Sequence, residues 1–311
     1  MPVVVGLCVL GGALASLQSR MNGELSHRLG EPVEAALWSF GSGLIVVTVL
    51  AAVMPRLRAG VRQVWAGVRL GRIRWYQCVG GMLGGFFVAV QSYAVPLVGI
   101  AVFTVAVVAG QVGNALVVDR LGIGPAGVQR VGVARVLAAA LALVGVVISV
   151  SDRLVGAHLA VVAVVAALIA GGGGSVQAGI NGRVNAVSRE PLATTWINFG
   201  FGTAFLLALA AGRSLGGQFH LSQPHGIPWW AWWGGVCGVT FIAIAAWAVH
   251  HIGVLVYTLA ALAGQLGSAL VLDLLSPTAR HLIGGPVVAG VAVTFAAAAL
   301  GSVLALRRRA S

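Results

Sequence analysis

Amide side chains recur at fixed spacings inside the apolar stretches of this sequence. Gln18 and Asn22 are four residues apart, and Gln177 and Asn181 repeat that spacing, so each pair shares one face of a helix. An amide in lipid surroundings needs partners, and it therefore turns toward the protein interior or a water-filled cavity. Two interpretations stay open: a polar patch lining a cavity, or hydrogen bonds that hold helices together. Asn22 and Asn181 lie nearer a helix end, which favours capping for these two.

A second set of amides follows glycines. Gln111 comes after Gly110 and Gln265 after Gly264, and the polar residues Asn114 and Ser268 lie three positions further on, on roughly the same face. A Gly-Gln step lets a neighbouring backbone approach while it presents one amide. Contact with a small-molecule ligand and simple packing between helices both fit this pattern.

Two aspartates lie two turns beyond those glutamines, where their helices are expected to end. The helix dipole disfavours an anion at a C-terminus, so Asp119 and Asp273 need a specific role. Each carboxylate either caps the following segment or pairs with a base, or it has a proton-coupling role. Arg120 and Arg130 are the candidate partners of Asp119.

The composition indicates that lipid surrounds the elements that carry these residues. The 311-residue chain is 59% hydrophobic and 8% charged, and its mean hydropathy is +0.98, whereas a soluble domain carries roughly 25% charged residues. Open strand edges are not tolerated in lipid, so the spans must be helices. Apolar spans fall near 2–22, 33–54, 75–95, 98–118, 129–150, 157–180, 191–211, 228–249, 252–273 and 283–306.

The positive charge is distributed as a topology signal. The net charge is +12, every basic residue is an arginine, and six of the arginines lie in residues 55–74, which we expect to form one loop. With ten crossings, thirteen arginines fall on the side of residues 55–74 and of the C-terminus, and five fall on the other side, with Arg135 inside a helix left uncounted. The excess places both termini in the cytoplasm of a multi-pass inner-membrane protein, and it argues against nucleic acid as the partner.

Motifs of catalysis or cofactor binding are not evident. Cys8, Cys78 and Cys237 lie in apolar stretches without metal-ligand spacing, which is typical of small buried hydrophobic residues. The sequence has no HExxH pattern and no P-loop. We therefore expect neither an enzyme nor a bound metal or cofactor.

An internal repeat divides the chain at about residue 150. LQSRMNGELSHRLGEPVEAALWSFGSG matches VQAGINGRVNAVSREPLATTWINFGFG at an offset of 159 residues, and VAGQVGNALVVD matches LAGQLGSALVLD at an offset of 154. Each copy, 1–150 and 151–311, holds five helices, and an odd number forces the second copy to enter the membrane inverted. Inverted repeats are typical of secondary transporters, whose binding site lies at mid-membrane between the copies. The expected fold is an all-α membrane protein of ten transmembrane helices.

The repeated pattern Gln-x3-Asn, Glu-Pro, Phe-Gly-x-Gly and Gly-Gln-x-Gly-x-Ala-Leu-Val-x-Asp resembles the YdcZ-like branch of the drug/metabolite transporter superfamily. The resemblance covers nearly the whole chain, as two fused five-helix units, and implies alternating access and export across a bacterial cytoplasmic membrane. It implies no substrate. Related small multidrug resistance proteins carry a buried glutamate in the first helix, where this chain has Gln18 and Gln177. These amides cannot titrate, which leaves Asp119 and Asp273, with glutamates near helix ends, as candidates for ion coupling.

We therefore expect a secondary transporter of a small neutral or zwitterionic metabolite or drug-like compound. Its partners would be that substrate and the lipid bilayer, and a homodimer is left open. The alternative is a scaffold or sensor that transports nothing, and a membrane enzyme comes third. The expected substrate-binding residues are Gln18, Asn22, Trp38, Gln111, Asn114, Gln177, Asn181, Trp196, Gln265 and Ser268.

Overall fold

The computed structural model describes residues 2–124, 127–128, 132–151, 158–219, 221–222, 225–277 and 279–310. Side chains are described for the same residues apart from 2, 134–135, 243, 245–259 and 301–310. The described chain is helical: α1 Pro2–Leu29, α2 Pro32–Val53, α3 Pro55–Arg69, α4 Gly81–Arg120, α5 Val133–Val150, α6 His158–Ser188, α7 Pro191–Leu215, α8 Gly234–Leu275 and α9 Gly285–Ala310, with short 3-10 helices at Trp75–Gly80, Trp229–Trp233 and Arg280–Leu282.

Helix α4 contains two membrane crossings. Its 40 residues would extend about 60 Å if straight, twice the hydrocarbon thickness. The chain breaks at Gly99, whose φ of 82° and ψ of 166° suit only glycine. The rings of Phe87 and Phe103 lie 5.9 Å apart between centroids, so the arms 81–98 and 100–120 fold back on each other.

Helix α8 folds back in the same way. Ile244 and Ala261 are 17 residues apart in sequence, yet they lie against the adjacent residues Gly11 and Gly12 of α1. A straight helix would separate them by about 25 Å. Five long apolar candidate spans are found among the described residues, α4 among them, together with shorter apolar helices in α5, α8 and α9. With α4 and α8 each crossing twice, the prediction of a ten-helix all-α membrane protein is confirmed.

The Glu-Pro steps begin helices, as the sequence predicted. Glu31 is the N-cap of α2, where its side chain accepts a hydrogen bond from the backbone N–H of Val33 at 3.1 Å. Pro32 and Pro191 occupy the first helical positions, which need no backbone donor. Glu190 holds the N-cap position of α7, but its side chain makes no capping bond.

Two local predictions are wrong. Residues 55–74 do not form only a loop, because α3 occupies most of them. Asn22 and Asn181 do not cap helices, because α1 and α6 continue to Leu29 and Ser188, about two turns beyond them. The first error arises because the six arginines of residues 55–74 resemble a polar loop. The second arises because a membrane helix can extend past the hydrocarbon layer, where polar residues no longer mark its end.

The two repeats interleave. The most extensive helix contacts join α1 to α8 and α6 to α4, so the first helix of each repeat packs against the other repeat. Four glycines make these contacts close: a β-carbon on any of them would overlap a backbone carbonyl of the facing helix. The pairs are Gly110 with Leu168, Gly264 with Val9, Gly171 with Val107 and Gly12 with Ala261. The boundary near residue 150 stays a prediction.

The bundle has two ends that differ in charge. The arginine-rich end carries α3 and residues 183–191. The opposite end carries Gly99, Asp273 and the junction of α1 with α2. Arg213 and Glu31 form an ion pair of 3.2 Å there, between the last turn of α7 and the start of α2.

Candidate functional site

Polar residues of α1 form a cluster that reaches the other helices of the bundle. The Asn22 amide donates to Gln91 Oε1 at 2.6 Å, and the Gln91 amide donates to Ser19 Oγ at 2.8 Å. Ser16 Oγ donates to the backbone carbonyl of Gln265 at 2.7 Å. Asn22 and Gln91 are almost fully buried, and these hydrogen bonds join α1 to the first arm of α4 and to α8.

The corresponding cluster on α6 has a different acceptor at its centre. The amides of Gln177 and Asn181 both donate to Asn198 Oδ1 of α7, at 2.9 and 3.1 Å. One turn earlier, Asn114 of α4 donates to the Gly172 carbonyl at 2.7 Å and to Ser175 Oγ at 3.2 Å. The repeat thus preserves the position of the polar cluster but not its bonding.

The glutamine on the first helix of each repeat packs against a glycine of the other repeat. A β-carbon on Gly84 would lie 2.6 Å from Gln177 Nε2, and one on Gly238 would lie 3.0 Å from Gln18 Nε2. Gly84 and Gly238 are repeat partners, so each glutamine lies in a groove that the opposite repeat opens by omitting a side chain. Gln111 faces Gly174 in a similar way, at 3.4 Å from a β-carbon built there.

Among the described residues, three of the four predicted glutamines have no hydrogen-bond partner for their side chains. In the described part of the chain, the side chains of Gln18, Gln111 and Gln265 form no hydrogen bond, and all three are partly exposed. An amide against hydrocarbon without a partner costs several kcal/mol. These amides therefore require water or a ligand. Ser268 bonds only the Gly264 and Gln265 carbonyls of its own helix.

The predicted tryptophans lie apart from this arrangement. Trp38 is 49% exposed, and its ring meets Trp232 edge-on at 4.9 Å between centroids. Trp196 donates from Nε1 to Thr48 Oγ1 at 3.0 Å. Among the described contacts, neither ring touches the glutamines, and a role for them in binding stays a prediction.

A phenylalanine pair marks the junction of the two repeats. Phe40 and Phe199 are repeat partners, and their ring centroids lie 4.9 Å apart. Each ring fills the space beside a glycine of the other repeat, Phe40 against Gly202 and Phe199 against Gly43. The repeated Phe-Gly-x-Gly motif signalled these positions, although sequence reasoning assigned them no function.

Asp273 links the repeats through backbone hydrogen bonds. Its carboxylate accepts from the backbone N–H of Ile100 at 3.0 Å and of Ala101 at 2.7 Å. These are the first donors of the second α4 arm, which begins after Gly99, and Asp273 is 1% exposed. A carboxylate at a helix N-terminus is favoured by charge and by bonding. Asp119 is partly buried in the last turn of α4, and its candidate partner Arg130 lies outside the described residues.

Sequence reasoning missed Gln91 and Asn198, the acceptors at the centre of the two clusters. Gln91 escaped notice because its repeat partner is Ala245, and Asn198 because its partner is Ser39. Both are polar residues inside apolar spans, which is the signal that would have found them.

Replacing Gln91 with leucine should destabilise the fold. The change removes both amide hydrogen bonds and leaves the buried Asn22 amide without its acceptor, whereas Ser19 keeps its bond to the Ala15 carbonyl at 3.0 Å; the cost is about 2–3 kcal/mol. Thermal unfolding in detergent, monitored by size-exclusion chromatography, measures the effect. Gln218→Leu serves as the control, because Gln218 is exposed and its side chain forms no hydrogen bond in the described part of the chain. An unchanged unfolding temperature for Gln91→Leu would contradict the described network.

Comparison with known proteins identifies one family. A family model described as "Putative inner membrane exporter, YdcZ" matches residues 3–148 and again residues 162–300. The two matches correspond to the two repeats and together cover most of the chain. Searches of curated proteins and of solved structures found no match.

Proposed function

The chain belongs to this YdcZ family of the drug/metabolite transporter superfamily, and from that membership we propose that it is a secondary transporter. It would export small metabolites or drug-like compounds across the cytoplasmic membrane by alternating access. One observation carries the proposal: three partly exposed amides, which have no hydrogen-bond partner among the described residues, lie on helices that face the opposite repeat. A binding site between inverted repeats is the usual arrangement in such transporters.

The amides favour a neutral or zwitterionic substrate. Gln18, Gln111 and Gln265 offer donors and acceptors without net charge. The full proposed site also includes Asn22, Asn114, Gln177, Asn181 and Ser268, with Trp38 and Trp196 as aromatic contacts. The charged residues cluster instead at the two ends of the bundle. The proposal includes no catalytic step, and a homodimer stays a prediction.

Movement would occur where α1 meets α8 and α6 meets α4. Glycine-lined contacts allow helices to slide or tilt without lifting side chains over each other. The Phe40–Phe199 pair lies between the repeats and would act as the pivot about which they rock. By the excess of arginine, the arginine-rich end and both termini would face the cytoplasm.

Ion coupling through aspartate is the less supported part of the proposal. Asp273 is bound to two backbone donors, which supports a structural role, and a coupling role would require that cap to open. Asp119 is its repeat partner and the second candidate. Asp273→Asn distinguishes the roles, because an amide still accepts one hydrogen bond but cannot release a proton.

The rival function is a scaffold or sensor without transport. The buried chain Asn22–Gln91–Ser19 favours it, since amides bonded to each other across helices are what a closed core contains. A scaffold, however, gives no role to Gln18, Gln111 and Gln265.

Counterflow in proteoliposomes tests the transport proposal. Purified protein is reconstituted and loaded with each compound of a panel of neutral, zwitterionic and cationic metabolites. We expect exchange of at least one neutral or zwitterionic compound. Folded, reconstituted protein that moves no compound of the panel would support the scaffold.

Gln111→Leu and Gln265→Leu should each impair transport while leaving membrane insertion intact. Losing a substrate hydrogen bond of about 1.5 kcal/mol reduces the transport rate at low substrate roughly tenfold. Gln218→Leu, at an exposed position after α7, is the matched control. Equal loss of folded protein in both site variants would instead show that these amides hold the helices together.

A further inference from the structure

A cavity lies at the arginine-rich end, away from the amide clusters. It has a volume of about 450 Å³ and lies between the last turn of α3, the following turn and the end of α6. Its polar lining consists of Gln63, Arg72 and Arg189, and its apolar lining of Ala66, Gly67, Leu70, Ala186 and Val187. Ligand cavities in proteins are commonly of this size.

Arg189 has a strained backbone conformation, which is unusual for a residue with a side chain. Arg189 has a φ of 52°, the left-handed conformation that glycine usually provides after a helix. Its repeat partner is Gly30, with a φ of 70°, at the corresponding end of α1. The two repeats therefore share the conformation, but only the second places a β-carbon and a guanidinium on it. Strain of this kind concentrates at functional sites.

The two guanidinium groups are free to bind an anion. Among the residues that the structure describes, neither Arg72 nor Arg189 forms an ion pair. The neighbouring acidic residue, Glu190, forms no ion pair with either arginine among the described residues. Two arginines beside an apolar wall suit a phosphate group attached to a hydrophobic body, since guanidinium binds phosphate through paired donors.

The surroundings place this cavity at the level of lipid headgroups. Helix α3 buries Leu57 and Val64 against the bundle and exposes arginines on its other face, as interfacial helices do. Trp65, Trp75 and Tyr76 are exposed at the same end, and aromatic rings favour the membrane interface.

We propose that Arg72 and Arg189 form a binding site for the phosphate of an anionic phospholipid headgroup. The phosphate would lie between the two guanidinium groups. The glycerol backbone and the first methylenes would contact Leu70 and Val187. The site does not depend on transport, and it would hold α3 against the end of α6.

Native mass spectrometry of the full-length protein tests the site. Phosphatidylglycerol and phosphatidylcholine are titrated separately, and a third series adds excess inorganic phosphate to phosphatidylglycerol. We expect selective, saturable binding of phosphatidylglycerol. Either Arg72→Gln or Arg189→Gly should weaken it about fivefold, the usual contribution of one arginine at an anionic surface. Arg56→Gln removes the same charge from an exposed position of α3 and should leave the affinity unchanged.

The Arg189→Gly variant separates binding from folding. Glycine is the residue at the corresponding position of the first repeat, and it adopts this backbone conformation without strain. The unfolding temperature should therefore not fall, whereas the affinity for lipid should. Unchanged binding in both cavity variants, or an equal loss in Arg56→Gln, would overturn the proposal. Displacement of the lipid by inorganic phosphate would show that a soluble phosphate is the ligand and would overturn the lipid assignment.

Discussion

Asp273→Ala should cause a large loss of stability. The variant leaves the backbone donors of Ile100 and Ala101 without an acceptor at a buried helix start. Each hydrogen bond to a charged group contributes about 1.5–3 kcal/mol, so the expected loss is about 3–5 kcal/mol. The measurement is the yield of monodisperse protein and its unfolding temperature in detergent.

Asp273→Asn is the graded control for this prediction. Its carbonyl oxygen accepts one of the two bonds, and its NH₂ group faces the other donor, so we expect about half of the destabilisation. Equal stability of the wild-type protein and the alanine variant would mean that the carboxylate does not cap the second arm of α4. If the asparagine variant folds and transports without ion coupling, Asp273 carries the coupled proton.

The repeat extends this prediction to Asp119. Ile100 and Ala101 correspond to Val254 and Leu255 at the offset of 154, in the second half of α8. We expect Asp119→Ala to destabilise the protein by a similar amount. A negligible effect would show that the two repeats use their aspartates differently, as they already do their amide clusters.

Gly110→Ala should disrupt the packing of α6 on α4. The added methyl group would overlap the backbone carbonyl of Leu168, which cannot move aside as a flexible side chain could. Overpacking costs about 1–3 kcal/mol, and a rigid helix pair places this site at the upper limit. The repeat predicts the same result for Gly264→Ala, whose methyl group would meet Val9. The unfolding temperature of each variant measures the effect.

The chain provides a matched control three residues away in each repeat. Gly113 and Gly267 lie in the same helices, and a β-carbon on either would have open space around it. Alanine there should be neutral or should stabilise by up to about 1 kcal/mol, because glycine weakens a helix interior. If all four variants behaved alike, helix propensity rather than close approach of the repeats would determine the outcome.

Architecture was predictable from the sequence because lipid imposes simple rules. The length of each apolar span, the repeated Glu-Pro helix starts and the two offsets of the repeat led to ten helices in two copies. The site was less predictable. A membrane helix is apolar on all sides, so hydropathy does not indicate which face meets protein and which meets lipid. Gln91 and Asn198 were missed because their repeat partners, Ala245 and Ser39, are not amides.

Helix α3 and the break at Gly99 were missed for different reasons. Six arginines in residues 55–74 suggested a loop, although Leu57 and Val64 lie seven residues apart on one buried face of a helix. The spans near 75–95 and 98–118 were placed correctly, but nothing in the sequence showed that one glycine would join them. Such a turn depends on Asp273, which is 174 residues away along the chain and close only after folding.

Thiol accessibility tests most directly whether the space between the repeats is wet. Cys8, Cys78 and Cys237 are buried and would be replaced, and single cysteines would be introduced at positions 111 and 265. A small, membrane-impermeant thiol reagent is then applied to right-side-out and to inverted vesicles. We expect both positions to react from at least one side. No reaction from either side, while a cysteine at exposed position 218 reacts, would show a dry core and contradict the account.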